Sequence, residues 1–153
     1  MVEQELAKLG LVLPDMPREV SSYIQYRIAG SFIFITGRLP MLDGALQYKG
    51  KVGKDLTVQQ GTDAARLCAQ NLLSVVKHAV GGDWAKIKSI VRVNGAINCE
   101  SSFEDHSKVM NGASNLLVAV FGEQVGCHTR TAIGVNSLPF GAAVEIDAVF
   151  ELI

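Results

Sequence analysis

Arg130 opens the short run Arg130-Thr131-Ala132-Ile133, and it is the residue of this sequence best equipped to grip an anion. Its guanidinium is planar, stays charged at any useful pH and offers paired N–H donors that match a carboxylate two-on-two. The commoner fate of an arginine at a strand start is a solvated or salt-bridged side chain, and residue type alone does not choose. Glu145 lies on the polar side of an alternating run, where a carboxylate can position or deprotonate water, or protonate a leaving nitrogen. Its plain alternative is an exposed strand carboxylate, like Asp147 and Glu151 beside it. Tyr23 carries an apolar ring and a hydroxyl that could line a pocket or serve packing only. Gly37 would let a backbone approach a ligand closely, or would merely end a strand.

Other chemistry-bearing residues read more blandly. Cys127-His128 invites a thiolate–imidazole pairing, but neighbours on a strand point to opposite faces and no third group orients them. A packing or loop role is expected. His78, His106 and His128 fall in no ligand spacing with each other or with the cysteines, so no metal site is expected. No glycine loop is built to cradle a phosphate, Gly81-Gly82 reads as a helix stop, and no cofactor is expected. Glu104-Asp105 beside His106 fits a first helical turn, where acidic residues favour the helix dipole.

The elements that must position these residues form one domain, 1–153. A chain of 153 residues can bury a core, covering roughly two-thirds of its unfolded surface. Hydrophobic residues make up 48% and charged residues 19%, a rich mixture for a lone globule, which needs more polar skin. A net charge of −1 gives no long-range attraction for nucleic acid or an acidic membrane. Three cysteines cannot all pair within one chain and none is in a CxxC spacing, which points to a reduced, cytoplasmic setting. The opening residues carry Glu3, Glu5 and Lys8 and do not read as a signal peptide. No apolar run approaches the roughly 18 residues of a membrane span.

Residues 1–20 read as a short amphipathic helix over 2–9, stopped by Gly10, and an extension broken by Pro14 and Pro17. Residues 23–29 alternate as a half-buried strand, and Gly30-Ser31 turns it into Phe32 and its β-branched followers as an antiparallel hairpin. Thr57 caps a helix to about Val80, with an apolar stripe at Val58, Ala65, Cys68, Leu72, Val75 and Ala79. Asp83 caps a single turn, and 89–96 form a strand. Ser101 and Glu104 have the spacing of a capping box, which predicts a second helix from there to about Phe121, burying Phe103, Val109, Met110, Leu116, Leu117 and Val120. Gly112 lies inside it and weakens its continuity. Strands return at 130–135 and 143–152, the last with Val144, Ile146, Ala148, Phe150 and Leu152 on one side. The order ββ, α, β, α, ββ predicts an α+β fold with both helices on one face of a single mixed sheet. The other face then lacks cover, and self-association is the simple remedy.

Two stretches resemble a known family. Tyr23-Ile24-Gln25 through Thr36-Gly37-Arg38-Leu39-Pro40 is similar to the opening hairpin of the RidA (YjgF/YER057c/UK114) family, written there roughly as PYxQ…SGQxP. Thr129-Arg130-Thr131-Ala132-Ile133 through Leu138-Pro139 and Val144-Glu145-Ile146 resembles its closing signature of arginine, short strand, Leu-Pro and a glutamate flanked by aliphatics. The element order agrees over about 20–152. The resemblance implies a chorismate-mutase-like fold and a homotrimer with clefts between subunits. It further implies hydrolysis of reactive 2-imino or 2-enamino acids to 2-oxo acids and ammonia, with Arg130 holding the carboxylate, Glu145 handling water, and Tyr23, Gly37 and Ala132 lining the pocket. Ala132 stands where many active members carry cysteine, and His128-Thr129 replaces their Pro-Ala. A binding or sensing trimer for small carboxylates is the alternative. The family's older endoribonuclease label fits poorly with the charge, since phosphate contacts dominate nucleic-acid affinity.

Overall fold

A computed structural model describes residues 1–16 and 22–153; the break expected at Pro17 lies outside them. Helix α1 spans Val2–Lys8 and ends at Gly10, as its sequence requires. The hairpin follows as β1 (Tyr26–Ala29) and β2 (Phe32–Arg38), joined at the Gly30-Ser31 turn with Ala29 opposite Phe32. Strand β1 is shorter than the predicted 23–29. Gln25, just before the strand, is buried, and its backbone carbonyl accepts from the Thr36 N–H. A small ribbon, β3 (Met41–Leu42) with β4 (Ala45–Leu46), leads to helix α2, Val58–Ala79. Thr57 caps α2: its hydroxyl accepts from the Gln60 N–H, and the Gln60 side chain accepts in return from the Thr57 N–H.

A one-turn 3-10 helix, Trp84–Lys86, is capped by Asp83 and opens into β5, Ile87–Asn98. Helix α3 runs His106–Phe121 with its cap position at Asp105, four residues later than the Ser101 cap predicts. Residues 100–103 instead form a turn closed by the Phe103 N–H on the Glu100 carbonyl, and the chain reaches the helix only after Asp105. Phe103 fits over Gly53 and stacks edge-on against the His106 ring at 5.2 Å, so it is half-buried outside the helix rather than within it. Glu104 and Asp105 accordingly precede the first helical turn. Gly112 does not break α3. Its missing side chain is where the Thr62 carbonyl of α2 comes against the helix, so glycine there permits the close crossing of α2 and α3.

A four-residue helix, α4 (Glu123–Gly126), leads into β6 (Thr129–Val135), and β7 (Val144–Leu152) closes the chain. The five-stranded sheet has the order β1-β2-β7-β5-β6, antiparallel except for the parallel β5–β6 pair. Its α2/α3 face holds the core, with Ile33, Leu72, Leu73, Ile90, Ile97, Met110, Leu116, Leu117, Ile146 and Phe150 fully buried. The opposite face is uncovered in the single chain: Phe34 is 47% and Ile133 52% exposed. No helix among the described residues is long and apolar enough to cross a membrane.

Candidate functional site

Arg130 lies on β6 opposite Val93, a fully buried residue of β5, so its side chain turns to the helix side of the sheet. There α3 presents a polar stripe. Arg130 Nη1 donates to Asn111 Oδ1 (2.9 Å) and Ser114 Oγ (3.1 Å), and Nη2 makes a long contact of 3.5 Å with the Ser107 carbonyl. Among the described residues no carboxylate pairs with Arg130 and its Nε–H meets no protein acceptor. With Nη1 on Asn111 and Ser114 and Nη2 only in that long contact, the Nε–H and the weakly held Nη2 are the donors open to a carboxylate. Ala132 is on the same face of β6, beside Gly95, whose missing side chain makes room for Met110.

Beside the guanidinium, a shallow depression of about 250 Å³ is lined by Ser114, Val118, Cys127, His128 and Arg130. His128 does not pair with Cys127. Its Nδ1 lies 2.6 Å from the Gly126 carbonyl and its Nε2 lies 2.9 Å from Ser114 Oγ. A carbonyl can only accept, so Nδ1 carries the proton, and in the neutral ring Nε2 accepts from the serine hydroxyl.

Glu145 lies on β7 opposite Ala96, on the uncovered face between the buried Val144 and Ile146. Gly37 is packed directly against its carboxylate, in the space any side chain at 37 would occupy. Burial pushes the Glu145 carboxyl above its ordinary value and Asp147 adds to this, while Arg38 draws it part of the way back. Arg38 itself is only 8% exposed, and its Nε donates to the Thr36 (3.0 Å) and Gly37 (3.1 Å) carbonyls. Burial lowers its pKa; the Tyr23, Glu145 and Cys68 groups oppose that. Cys68 is fully buried and its thiol is pushed well up, first by burial and then by Glu145, so it is no nucleophile.

The predicted residues thus fall into two groups within one chain. Tyr23, Gly37 and Glu145 cluster around Arg38 at the β2–β7 side, whereas Arg130 and Ala132 are on the edge strand and the other face. Sequence reasoning missed Asn111, Ser114 and His128 around Arg130, and Arg38 beside Glu145. Ser107, Asn111 and Ser114 recur at one helical face, and His128 stands two residues before Arg130, just ahead of β6; that spacing was the available signal. No cluster of three or more metal-ligating side chains occurs among the described residues.

Comparison with known proteins places this arrangement in a family. The chain is 42% identical over 151 residues to Protein TCP17 of Trypanosoma cruzi, covering 99% of this chain and 94% of that protein. It is 41% identical to the crystal structure of Atu1372, a protein of unknown function from Agrobacterium tumefaciens, at TM-score 0.93 over 99% of this chain and 92% of that one. A crystal structure described as a putative endoribonuclease from Shewanella oneidensis is 35% identical at TM-score 0.94, with 99% of each chain covered. The family model described as "YjgF/chorismate mutase-like, putative endoribonuclease" matches residues 3–151. With its α+β fold, its hairpin motif and its closing signature, the chain belongs to the YjgF (RidA) family.

Proposed function

We propose that this protein hydrolyses reactive 2-imino or 2-enamino acids to 2-oxo acids and ammonia, in clefts shared by neighbouring copies of a homotrimer. The carrying observation is the setting of Arg130. Neutral acceptors, Asn111 and Ser114, orient the guanidinium without cancelling its charge, and Nε–H, beside an Nη2 held only by a long contact to the Ser107 carbonyl, is left for a carboxylate. Held there, a 2-imino acid has its C=N carbon fixed one bond from the clamp. Fixing it there lowers the entropic barrier to attack by water.

Glu145 is the candidate group for positioning or deprotonating that water. Its raised pKa reflects a partly desolvated carboxylate, the environment that tunes such groups for proton transfer. In one chain Glu145 and Arg130 are on opposite faces of the sheet and cannot meet on one small substrate. The uncovered apolar face, carrying Phe34 and Ile133, favours a neighbouring copy as the source of the second group. The test is ammonia release from 2-aminoacrylate generated in situ by a lyase. Wild type should accelerate release and Arg130→Ala should not; equal rates with and without wild type reject the proposal.

A non-catalytic trimer that binds or senses small carboxylates is the second reading, favoured by Ala132 in place of cysteine. Saturable, Arg130-dependent binding of 2-oxo acids with no turnover would establish it. Cleavage of RNA, the activity in the family description, is disfavoured by a net charge of −1.

A further inference from the structure

Ser114 and His128 have no assigned role, yet they share the depression with Arg130 and form a chain of hydrogen bonds with a fixed direction. The Gly126 carbonyl holds the proton on Nδ1 of His128, which leaves Nε2 as an acceptor 2.9 Å from Ser114 Oγ. Arg130 Nη1, 3.1 Å away on the other side, donates to the same oxygen. The hydroxyl is therefore polarised at both ends: its proton is drawn to an imidazole and its oxygen is stabilised by a cation. A serine serving only to brace α3 against β6 would need neither a base with an enforced tautomer nor a place in a solvent-open depression. Arg130 and Cys127 are the other titratable or charged side chains lining that depression, and no carboxylate lines it.

We infer that Ser114 and His128 are a proton relay for a substrate carboxylate held on Arg130. The inference rests on the hydrolase reading above and assigns the proton transfers to this pair, which leaves Glu145 to position the water. Water adds to the carbon of the protonated imine, forming the C–O bond, while the π electrons pass to nitrogen as its lone pair. Ser114 accepts the proton that water loses and passes its own to His128 Nε2. In the second half His128 returns the proton through Ser114 to nitrogen, the C–N bond breaks, and the departing ammonia takes the carbinolamine hydroxyl's proton and leaves as ammonium. No oxidant or cofactor enters the balance. Ser114 touches the reacting atoms; His128 acts through it.

The test measures ammonia release from lyase-generated 2-aminoacrylate and, separately, pyruvate affinity by calorimetry. Both are done for wild type, Ser114→Ala, Ser114→Thr and His128→Gln, each checked for folding by its thermal transition. Losing a positioned acid–base group costs about 10²-fold or more. Ser114→Ala and His128→Gln should therefore lose that much kcat, while pyruvate affinity falls by less than about 10-fold, the worth of one neutral hydrogen bond, because Asn111 still orients Arg130. Ser114→Thr, which keeps the hydroxyl, should recover most of the rate. Folded variants with wild-type kcat overturn the relay alone. Loss of pyruvate affinity in step with kcat also overturns it, because the pair then only holds Arg130 in place. Failure of wild type to release ammonia overturns the hydrolase reading and the relay together.

Discussion

A guanidinium and a carboxylate are tuned in opposite ways by the two sides of this sheet. Arg130 is oriented by an amide and a hydroxyl and keeps its charge, whereas Glu145 is crowded by its own burial and by Asp147. Because its folded-state pKa is raised, the folded chain binds this proton more tightly than the unfolded chain. That contribution to stability is complete below the ordinary carboxylate value of 4.5 and is lost as pH rises through the raised value. Glu145→Gln removes the titration. It should be more resistant to urea than wild type at neutral pH, with the gap closing as pH falls towards about 4. An equal gap at both pH values would show that Glu145 does not titrate differently on folding. Arg130 and Glu145 were legible as residues, Arg130 through its place in the family's closing signature and Glu145 also through strand alternation. Their environments were not: the partners at Asn111, Ser114 and Arg38 come from other elements, and no local pattern joins them.

At the scale of elements, the crossing of α2 and α3 depends on Gly112, against which the Thr62 carbonyl is packed. The gain in helix propensity from alanine is about 1 kcal/mol, but a methyl group there pushes on backbone that cannot rotate away. Gly112→Ala should destabilise by about 1–3 kcal/mol, read as a lower urea midpoint; a raised midpoint would mean the helices can separate freely. Sequence logic treated this glycine as a weakness because helix propensity is local and the close approach is tertiary. The same limit explains α3's late start: Ser101 and Glu104 had the right spacing, but Phe103 gains more by covering Gly53. Helix α1 is tied down through Glu3, which accepts from Trp84 Nε1 (2.9 Å) and pairs with Lys77 Nζ (2.9 Å). The Trp84 hydrogen bond, then Lys77, holds the Glu3 carboxyl below its ordinary value. The resulting docking strength is present above pH 4.5 and is lost as pH falls through the lowered value. Acidification should therefore shift Trp84 fluorescence as α1 loosens, and Glu3→Gln should abolish that transition; an identical transition in the variant would place its cause elsewhere.

At the scale of the molecule, the sheet has one face filled by α2 and α3 and one face bare. Element order and the 48% hydrophobic content made both faces readable in advance, since two crossover helices can cover only one side of one sheet. The occupant of the bare face is a matter of assembly, which a chain's own periodicity does not encode. A homotrimer should sediment at about three times 16.4 kDa. Phe34→Glu, placing a charge where the chain exposes an apolar ring, should shift the species towards monomer and abolish turnover while leaving the far-UV spectrum unchanged. A fully active monomer would remove the need for a shared cleft.

The grip of Arg130 on a carboxylate is tested most directly by titrating wild type and Arg130→Lys with pyruvate in a calorimeter. Lysine keeps the charge but not the fork, and charge-assisted hydrogen bonds are worth about 1.5–3 kcal/mol each. Wild type should bind saturably and the variant about 10- to 100-fold more weakly. Equal affinities, or no binding by wild type, would contradict a carboxylate site at Arg130.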